Sequence, residues 1–288
     1  MDFTSFLIQT LNGIQYGFLL FLVASGLTLI FGIMNIINLA HGAFYMLGAY
    51  ICYWLFDFTG ELFSAIGIGI AIMIGVGYLI ERLAISHLYK RDHLYQVLLT
   101  YGLILIFNEL QKIFWGTDFY SVPVPDALSV GIHLTETQDY PIYRLFISLV
   151  CMIIAAGLYL LIGKTRFGMM IRAGASNREM AQTLGIDIGR VFAIVFSLGT
   201  ALAAFSGMIG SPLSSVFPGM GDEILIISFV VVVIGGLGSV KGAFVGAMII
   251  GLADTFGTVL LPNFASVVVY AVMALILLWR PQGLFGKA

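Results

Sequence analysis

Charged residues are scarce in this chain. They make up 10% of its 288 residues, whereas a soluble domain contains about a quarter, and hydrophobic residues reach 60%. The hydrophobic residues fall in runs long enough to cross a bilayer, which takes about 20 residues in a helix. Alternating segments of about ten residues, typical of a membrane barrel, do not occur in the sequence. The sequence therefore predicts an all-α fold, a polytopic integral membrane helical bundle with about 8–10 transmembrane spans.

Cysteine is also scarce. Cys52 and Cys151 both lie inside apolar runs, where a packing role is expected rather than a disulfide. The net charge of −2 and the lack of a basic tail give no reason to expect nucleic acid as a partner. The N-terminal segment has no basic region and no small-residue cleavage site, so we expect a retained first span rather than a signal peptide.

The sequence lacks the residue clusters that catalysis or metal binding needs. His41 has no candidate metal ligands beside it, and the other histidines, His87, His93 and His133, are scattered in loops. Paired carboxylates, metal motifs and nucleophile arrangements are missing as well. We therefore expect no catalytic residue, no metal and no cofactor in this chain, and an intramembrane enzyme is disfavoured.

Nine apolar segments are predicted as membrane spans within one transmembrane domain at 1–288. They lie at 6–32, 36–56, 62–84, 94–115, 142–163, 191–212, 224–240, 243–261 and 264–280. Only the Gly-rich stretch GGLGSVKG at 235–242 separates the seventh segment from the eighth. Either of these two could therefore be a re-entrant or broken helix.

Basic residues are concentrated on one side of the predicted bundle. Lys112 and Arg144 lie on the other side, near span ends, together with most of the carboxylates. Because Lys and Arg concentrate in cytoplasmic loops, we predict that the N-terminus is outside and the C-terminus is in the cytoplasm. The cytoplasmic side then holds Arg82, Lys90, Arg91, Lys164, Arg166, Arg172, Arg178, Arg190, Lys241, Arg280 and Lys287.

A polar loop between two spans, at 164–190, is predicted to carry a short helix. Ser176 and Glu179 have the spacing of a capping box at a helix start, and Gly185 can adopt the left-handed conformation that ends a helix. A helix this short is not stable alone in water, so it must pack on its own membrane domain or on another protein. Its apolar surface consists of Met180, Ala181 and Leu184.

Four stretches of the chain resemble one family of transporters. The spacing Glu179-x-Ala181-x-x-x-Gly185 resembles the E-A-A-x-x-x-G pattern in the cytoplasmic coupling loop of ABC importer permeases. Three more stretches resemble the branched-chain amino acid permeases of the LivH and LivM type, and the chain length is closer to LivH. These are GLTLIFGIMNIINLAHGAFYMLGAY at 26–50, VVVIGGLGSVKGAFVGAMIIGLAD at 231–254 and LWRPQGLFG at 278–286.

The resemblance implies a non-catalytic permease subunit of an ATP-driven importer for branched-chain or related small amino acids. It also implies a plasma-membrane location in a bacterium or archaeon, which is the inner membrane in a Gram-negative cell. The implied partners are a second related permease, two cytoplasmic ATPase subunits, an external solute-binding protein and the lipid bilayer. The residues implied to couple the chain to the ATPases are Ser176, Glu179, Met180, Ala181, Leu184 and Gly185.

Polar residues inside the apolar segments are candidates for a translocation path, because polar groups in hydrocarbon are expected to face the bundle interior. Asn35, Asn38 and His41 recur every third residue and would cover an arc of about 120° on a helix. Asp254, in the eighth segment, is the fourth candidate. Interhelical hydrogen bonding is the alternative role for each of these side chains.

Two alternatives for the function stay open. Urea, amides or other amino acids could be the substrate of an importer from the same family. A self-sufficient secondary transporter or channel would be a different class of protein and would use Asp254 or Glu109 for ion coupling. Glu109 could instead pair with Lys112, one helical turn away.

Short glycine motifs predict close contacts between helices. Gly13-x-x-x-Gly17 and Gly242-x-x-x-Gly246 have the spacing that lets two helix backbones approach each other in a membrane. The tetrapeptides HGAF at 41–44 and KGAF at 241–244 are nearly identical, and this similarity hints at a duplicated unit.

Overall fold

The computed structural model of the chain describes residues 2–89, 91–135 and 138–286. This part contains eleven α-helices and one antiparallel hairpin of two strands, which lies between α4 and α5. The helices are α1 (Phe3–Met34), α2 (His41–Thr59), α3 (Leu62–Leu83), α4 (His93–Trp115), α5 (Ile142–Lys164), α6 (Arg166–Ser176), α7 (Arg178–Thr183), α8 (Ile188–Gly210), α9 (Met220–Gly235), α10 (Val240–Leu260) and α11 (Ala265–Trp279). The strands are β1 (Gly131–Thr135) and β2 (Gln138–Pro141).

The long helices run between two ends of the bundle. The end with the β-hairpin, called the hairpin end below, holds the first part of α1, since Arg144, just after β2, donates to Asn12 of α1. The Phe6 ring lies 5.4 Å from that of Phe256, so the end of α10 lies there too. The opposite end, called the loop end, holds the segment 165–187. There the end of α1 meets the α9–α10 turn, because Gly32 packs against the backbone of Gly238.

Seven helices within the described residues are long and apolar enough to cross a membrane: α1, α3, α4, α5, α8, α10 and α11. α1 and α8 form the centre, with 83% of the apolar window of each buried, whereas α11 has 6% buried. A helix that is apolar all round is expected either in a protein core or in lipid. The helical membrane bundle predicted from the sequence is confirmed.

The remaining two apolar helices, α2 and α9, begin inside the bundle. The Nε2 atom of His41 lies 2.9 Å from the carbonyl oxygen of Val23. Val23 is roughly 16 Å from the loop end of α1 at 1.5 Å per residue. The start of α9 lies beside the start of α2, because a Cβ atom on Gly42 would stand 2.0 Å from the carbonyl oxygen of Gly221. The chain reaches these two starting points through non-helical segments at 35–40 and 211–219.

This arrangement agrees with the expectation for one segment and corrects that for another. We expected a re-entrant or broken helix in the seventh or eighth segment. The seventh segment is α9, which starts in the interior, while the eighth is the full-length α10. The second segment, predicted as a continuous helix over 36–56, also starts in the interior, at His41.

The two halves of the chain pack in related arrangements of opposite direction. The contact of α1 with α10 corresponds to that of α8 with α3. The contact of α2 with α8 corresponds to that of α9 with α1. In this comparison α1, α2 and α3 correspond to α8, α9 and α10. α1 and α8 are antiparallel at the centre, where a Cβ on Gly26 would meet the carbonyl oxygen of Gly199 at 2.6 Å. Inverted repeats of this kind place interrupted helices near the bilayer midplane. The HGAF and KGAF tetrapeptides do not mark the repeat, because they open α2 and α10, and α2 corresponds to α9.

The predicted glycine contacts are present. A Cβ atom on Gly251 would lie 2.5 Å from the carbonyl oxygen of Gly13, so α1 and α10 touch backbone to backbone. Likewise, a Cβ on Gly242 would lie 2.0 Å from the carbonyl oxygen of Gly235, which joins α10 to α9. Small residues permit these contacts because helices in lipid associate mainly through close van der Waals packing.

The segment 280–286 folds back over the end of α9. The backbone N–H of Leu284 donates to the carbonyl oxygen of Ile234 at 2.8 Å, and that of Phe285 donates to Gly235 at 3.0 Å. The last carbonyls of a helix have no partner within the helix. The RPQGLFG motif therefore supplies the hydrogen bonds that end α9 and ties α11 to it.

Candidate functional site

The polar residues after α1 do not share a helical face. α1 ends at Met34, and Asn35 has a φ of 55°, the left-handed conformation that asparagine tolerates better than most residues. Residues 35–38 have no helical structure, so the predicted arc of Asn35, Asn38 and His41 does not exist. The prediction was wrong because the every-third spacing was interpreted as part of a continuous helix.

Asn38 and His41 are fully buried where α2 begins. His41 is held by the carbonyl oxygen of Val23, and both amide atoms of Asn38 are without a hydrogen-bond partner in the described part of the chain. The same segment touches α4, where Thr100 Oγ1 lies 3.4 Å from the carbonyl oxygen of Ile37. Asn38 and His41 line neither of the two cavities described below, whereas Asn35 is exposed and lines one of them.

The polar loop contains two helices rather than one. α6 was not predicted, and Ser176 is its last residue instead of the cap of the next helix. Asn177 caps α7, since its Oδ1 accepts a hydrogen bond from the backbone N–H of Met180 at 2.9 Å. The predicted capping box of Ser176 and Glu179 is therefore wrong. Asn177 is an equally good cap and stands one residue later.

The end of α7 is as predicted. Gly185 has a φ of 86°. Its N–H donates to the carbonyl oxygen of Gln182 at 2.9 Å, and the N–H of Ile186 donates to that of Ala181 at 3.1 Å. These two bonds form a Schellman motif, in which a glycine satisfies the last free carbonyls of a helix.

α7 presents two apolar side chains to solvent. Met180 is 64% exposed and Leu184 is 76% exposed, while Ala181 is buried. The predicted apolar surface thus divides into a small inner contact and an exposed pair. Glu179 is exposed beside this pair. Exposed neighbouring apolar side chains at a protein surface are a feature of interaction sites.

Arg178 connects α7 to the two central helices, a role that sequence reasoning missed. Its guanidinium donates to the carbonyl oxygen of Met34 at the end of α1 and stacks 4.7 Å from the ring centre of Phe192 on α8. Burial lowers the pKa of this guanidinium. Phe192 also packs against the ring of Tyr89, whose hydroxyl donates to the buried carboxylate of Glu81.

A cavity of about 520 Å³ opens beside Arg178 at the loop end. We call it the loop-end cavity. Its lining includes Ser176, the exposed Asn35 and several polar or basic side chains. These are Tyr89, Arg91, His93, Gln96 and Arg178.

A second cavity, of about 350 Å³, lies at the hairpin end between α1, α5 and α10. We call it the hairpin-end cavity. Asp254 lines it, as do Tyr16 and Gln15 of α1. Arg144 in the first turn of α5 also lines it, and its Nη1 donates to Asn12 Oδ1 at 2.9 Å. The sequence identifies Arg144 only as a basic residue on the acidic side. Its position at the edge of an apolar run was the signal that could have placed it here.

Other sequence candidates remain separate from both cavities. Glu109 and Lys112 form an ion pair at 2.8 Å on an exposed face of α4, as the one-turn spacing predicted. Cys52 and Cys151 are buried free thiols. In the described residues, no three His, Cys, Asp or Glu side chains lie close enough together to hold a metal ion.

Comparison with known proteins identifies the family. The family model described as "Branched-chain amino acid transport system / permease component" matches residues 9–277, which is most of the chain. The chain belongs to this family. It is therefore a non-catalytic, multi-pass permease subunit of an ABC importer, and its family works with ATPase and solute-binding partners.

Curated relatives align with the permease over almost its full length. BraD of Pseudomonas aeruginosa is 29% identical over 98% of this chain and 96% of the relative. LivH of Escherichia coli is 30% identical over 99% of this chain and 97% of the relative. A LivH protein of Methanocaldococcus jannaschii is 31% identical over 96% of this chain and 91% of the relative. No solved structure matches the permease.

Proposed function

We propose that this permease imports branched-chain or related small amino acids and that ATPase subunits move it through α7. The extent of the likeness carries the substrate proposal. BraD and LivH of E. coli, both named for high-affinity branched-chain amino acid transport, align with 98% and 99% of this chain. A likeness of this length includes the central helices, the interrupted helices and the polar loop together.

The distribution of charge supports an orientation for the bundle. The described basic residues lie at the loop end, except Lys112 and Arg144 at the hairpin end. Because positive residues concentrate in cytoplasmic loops, we assign the loop end to the cytoplasm and the hairpin end, with the N-terminus, to the outside. Lys90 and Lys287, which were part of the predicted cytoplasmic set, lie outside the described residues.

The exposed face of α7 supports its role as the ATPase docking site. An ATPase that packs on Met180 and Leu184 would bury apolar surface that the permease leaves in water. Any movement of α7 would be transmitted through Arg178 to the end of α1 and to Phe192 of α8. These are the two most buried long helices. The docking helix is thus attached to the centre of the bundle rather than to its periphery.

The proposed assembly contains two permeases and two ATPases. The chain offers one α7, and so one docking site for one ATPase. A second, related permease would present the other site. Large apolar side chains remain exposed along α3, α4, α5 and α11, and this surface is available for that permease and for lipid. We treat 1–288 as one transmembrane domain with its coupling loop at 164–190.

The interrupted helices suggest where the path opens and closes. α2 and α9 meet at Gly42 and Gly221 in the interior, and Asn38 and His41 lie buried beside that junction. ATP binding can shift the bundle between outward-open and inward-open states only if the partners bind those states with different affinities. α7 must therefore make different contacts with the ATPase in the two states.

Transport by the purified complex tests the function. The permease with its partner subunits is reconstituted in vesicles. Uptake of radiolabelled leucine is then measured with and without ATP on the side of the membrane where the ATPase subunits lie. We expect uptake to require ATP and the binding protein. We also expect unlabelled isoleucine and valine to compete with leucine more strongly than urea or acetamide does. ATP-independent uptake by the permease alone would instead support a secondary transporter, and preferential competition by urea or acetamide would overturn the amino-acid assignment.

A further inference from the structure

The hairpin-end cavity has the size and the chemistry of a ligand site. Its volume of about 350 Å³ falls within the range of roughly 300–1,000 Å³ that is usual for small-molecule pockets. Its lining combines apolar side chains, among them Leu213 and Val259, with polar groups from α1, α5 and α10. Polar groups within the apolar part of a membrane protein are costly unless they have partners, so each polar side chain of this cavity is expected to have one.

The cation of this cavity, Arg144, is bound only by neutral groups. Its Nη1 donates to Asn12 Oδ1 at 2.9 Å and lies 3.5 Å from Gln15 Oε1. No carboxylate in the described residues forms an ion pair with it. A guanidinium has five N–H donors in a planar fork that fits a carboxylate through two parallel bonds. Arg144 therefore keeps both its net charge and free donors for an anionic ligand.

The anion of the cavity, Asp254, is likewise without a counter-ion. It is partly buried on α10, and no Lys, Arg or His side chain among the described residues lies within ion-pair distance of it. Arg144 and Asp254 thus line one cavity without touching each other. A direct ion pair would have neutralised both groups, and without it each charge stays available to a ligand in the cavity.

Gln15 provides an independent observation. Its side chain is 3% exposed and lines the cavity, and its Nε2 is buried without a hydrogen-bond acceptor in the described residues. A buried donor without an acceptor is destabilising, so such a group is expected to find an acceptor in some state of the protein. A ligand carboxylate held by Arg144 would lie beside this donor.

We infer that the hairpin-end cavity binds the zwitterionic head of an amino acid, with the α-carboxylate on Arg144 and Gln15 and the α-ammonium on Asp254. The apolar side chain of the amino acid lies against Leu213 and Val259. One ligand then neutralises both unpaired charges, which neither a simple anion nor a simple cation would do. The inference rests on the proposed import of amino acids and places a binding step on the outer side of the permease.

Protection of an introduced thiol tests the site without transport. Ser214, which lines the cavity, is changed to Cys, and the assembled complex is labelled with an impermeant maleimide in the absence of ATP and binding protein. The unchanged permease gives the background, because its own two thiols are buried. We expect leucine to slow the labelling severalfold. Leucinamide, which lacks the carboxylate, and 2-hydroxy-4-methylpentanoate, which lacks the ammonium, should protect much less.

Variants of the two charged residues assign their roles. Arg144→Gln and Asp254→Asn should each raise the leucine concentration for half-protection by about tenfold or more, since each removes an interaction with a charged group. Arg144→Lys keeps the charge without the fork and should restore part of the protection. Asp57→Asn, on the exposed end of α2 at the same end of the bundle, is the matched control and should match the Ser214→Cys parent.

Three outcomes would overturn the site. Leucine could fail to protect Ser214→Cys, or leucine and its two analogues could protect equally, and either result excludes zwitterion recognition even if Arg144→Gln does not assemble. A phosphatidylethanolamine headgroup also carries an oxyanion and an ammonium group. Labelling could be slow in vesicles that contain this lipid, while leucine gives no protection in vesicles of phosphatidylcholine and phosphatidylglycerol. That result would assign the cavity to lipid instead. Leucine uptake by the wild-type complex tests the proposed function separately, so failure of one is distinguishable from failure of the other.

Discussion

At the scale of single residues, the hydrogen bonding of buried polar groups is the basis for proposing which side chains belong to a path and which to the scaffold. Asn38 is fully buried, and its amide is without a partner in the described residues, whereas His41 has one hydrogen bond to α1 through Nε2 and an unpaired Nδ1. An unpaired amide contributes no hydrogen bond to the stability of this state. We propose that the Asn38 amide acts in another state, in which the path opens at α2, and this proposal accounts for its lack of a partner here.

Replacement of Asn38 by Leu separates these roles. Because no hydrogen bond is lost, the stability of the folded complex should change by less than about 1 kcal/mol. Leucine uptake should fall strongly while ATPase activity is retained, because the amide would be missing from the opened path. Both activities are measured on one reconstituted preparation, with the exposed Asn263→Leu as control. If uptake and ATPase activity fall in proportion to the amount of folded complex, Asn38 is only a scaffold residue.

The glycine junction between α2 and α9 gives a second prediction at this scale. A Cβ on Gly42 would lie 2.0 Å from the carbonyl oxygen of Gly221, so Gly42→Ala must push two helix backbones apart. We expect a loss of about 1–3 kcal/mol or more, as for other overpacked sites. Gly67→Ala on α3 is the matched control, since a Cβ there meets nothing within 4 Å. Thermal unfolding of both purified variants in one detergent provides the measurement. Equal midpoints would show that the junction is not tightly packed.

At the scale of elements, α7 is the element proposed to convert contact with an ATPase into movement of the bundle. Its short length makes it unstable alone, and it is held by the Asn177 cap, the Gly185 turn and the contacts of Arg178 with α1 and α8. The exposed pair of Met180 and Leu184 is then presented in one orientation. A partner that packs on this pair acts on a helix whose other side is already anchored.

Gly185→Val tests the docking role of this element. The left-handed conformation at φ 86° costs a β-branched residue about 1–2 kcal/mol, so the end of α7 should rearrange. ATPase subunits should co-purify poorly and uptake should fall, while the membrane helices still insert. Gly157→Val on an exposed face of α5 is the control, because its φ is not positive and its Cβ would meet nothing. Normal ATPase recovery and transport with Gly185→Val would remove α7 as the docking site.

At the scale of the whole molecule, the charge asymmetry between the two ends sets the proposed orientation. The hairpin end carries the β-hairpin and the start of α1, and the loop end carries α6 and α7. The proposed roles of α7 and of the hairpin-end cavity both depend on this assignment, because α7 must face the ATPases and the cavity must face the incoming substrate.

Single cysteines at the two ends test the orientation. Ser129 and Ser176 are both exposed, one before β1 and the other at the end of α6, and each is changed to Cys. In intact cells, Ser129→Cys should react with an impermeant thiol reagent and Ser176→Cys should not, whereas permeabilised cells should label both. The reverse pattern would place α7 outside and exclude its contact with cytoplasmic ATPases.

The sequence by itself determined the class of the protein, because scarce charge and long apolar runs permit only a helical membrane bundle. It also indicated the short helix of the polar loop and its Gly185 end, since caps and left-handed glycines are local features that a few residues specify. The permease family was recognisable for the same reason, as its motifs are contiguous.

The tertiary structure alone decided which helices begin in the interior and which distant residues share a cavity. The interruption at Asn35 is stabilised by contacts of 36–41 with α1 and α4, and no local signal distinguished it from a helix. Arg144 and Asp254, on α5 and α10, line one cavity only because both helices pack on α1. Hydrophobic periodicity records which residues avoid water, but in a chain that is apolar nearly everywhere it does not record which helices become neighbours.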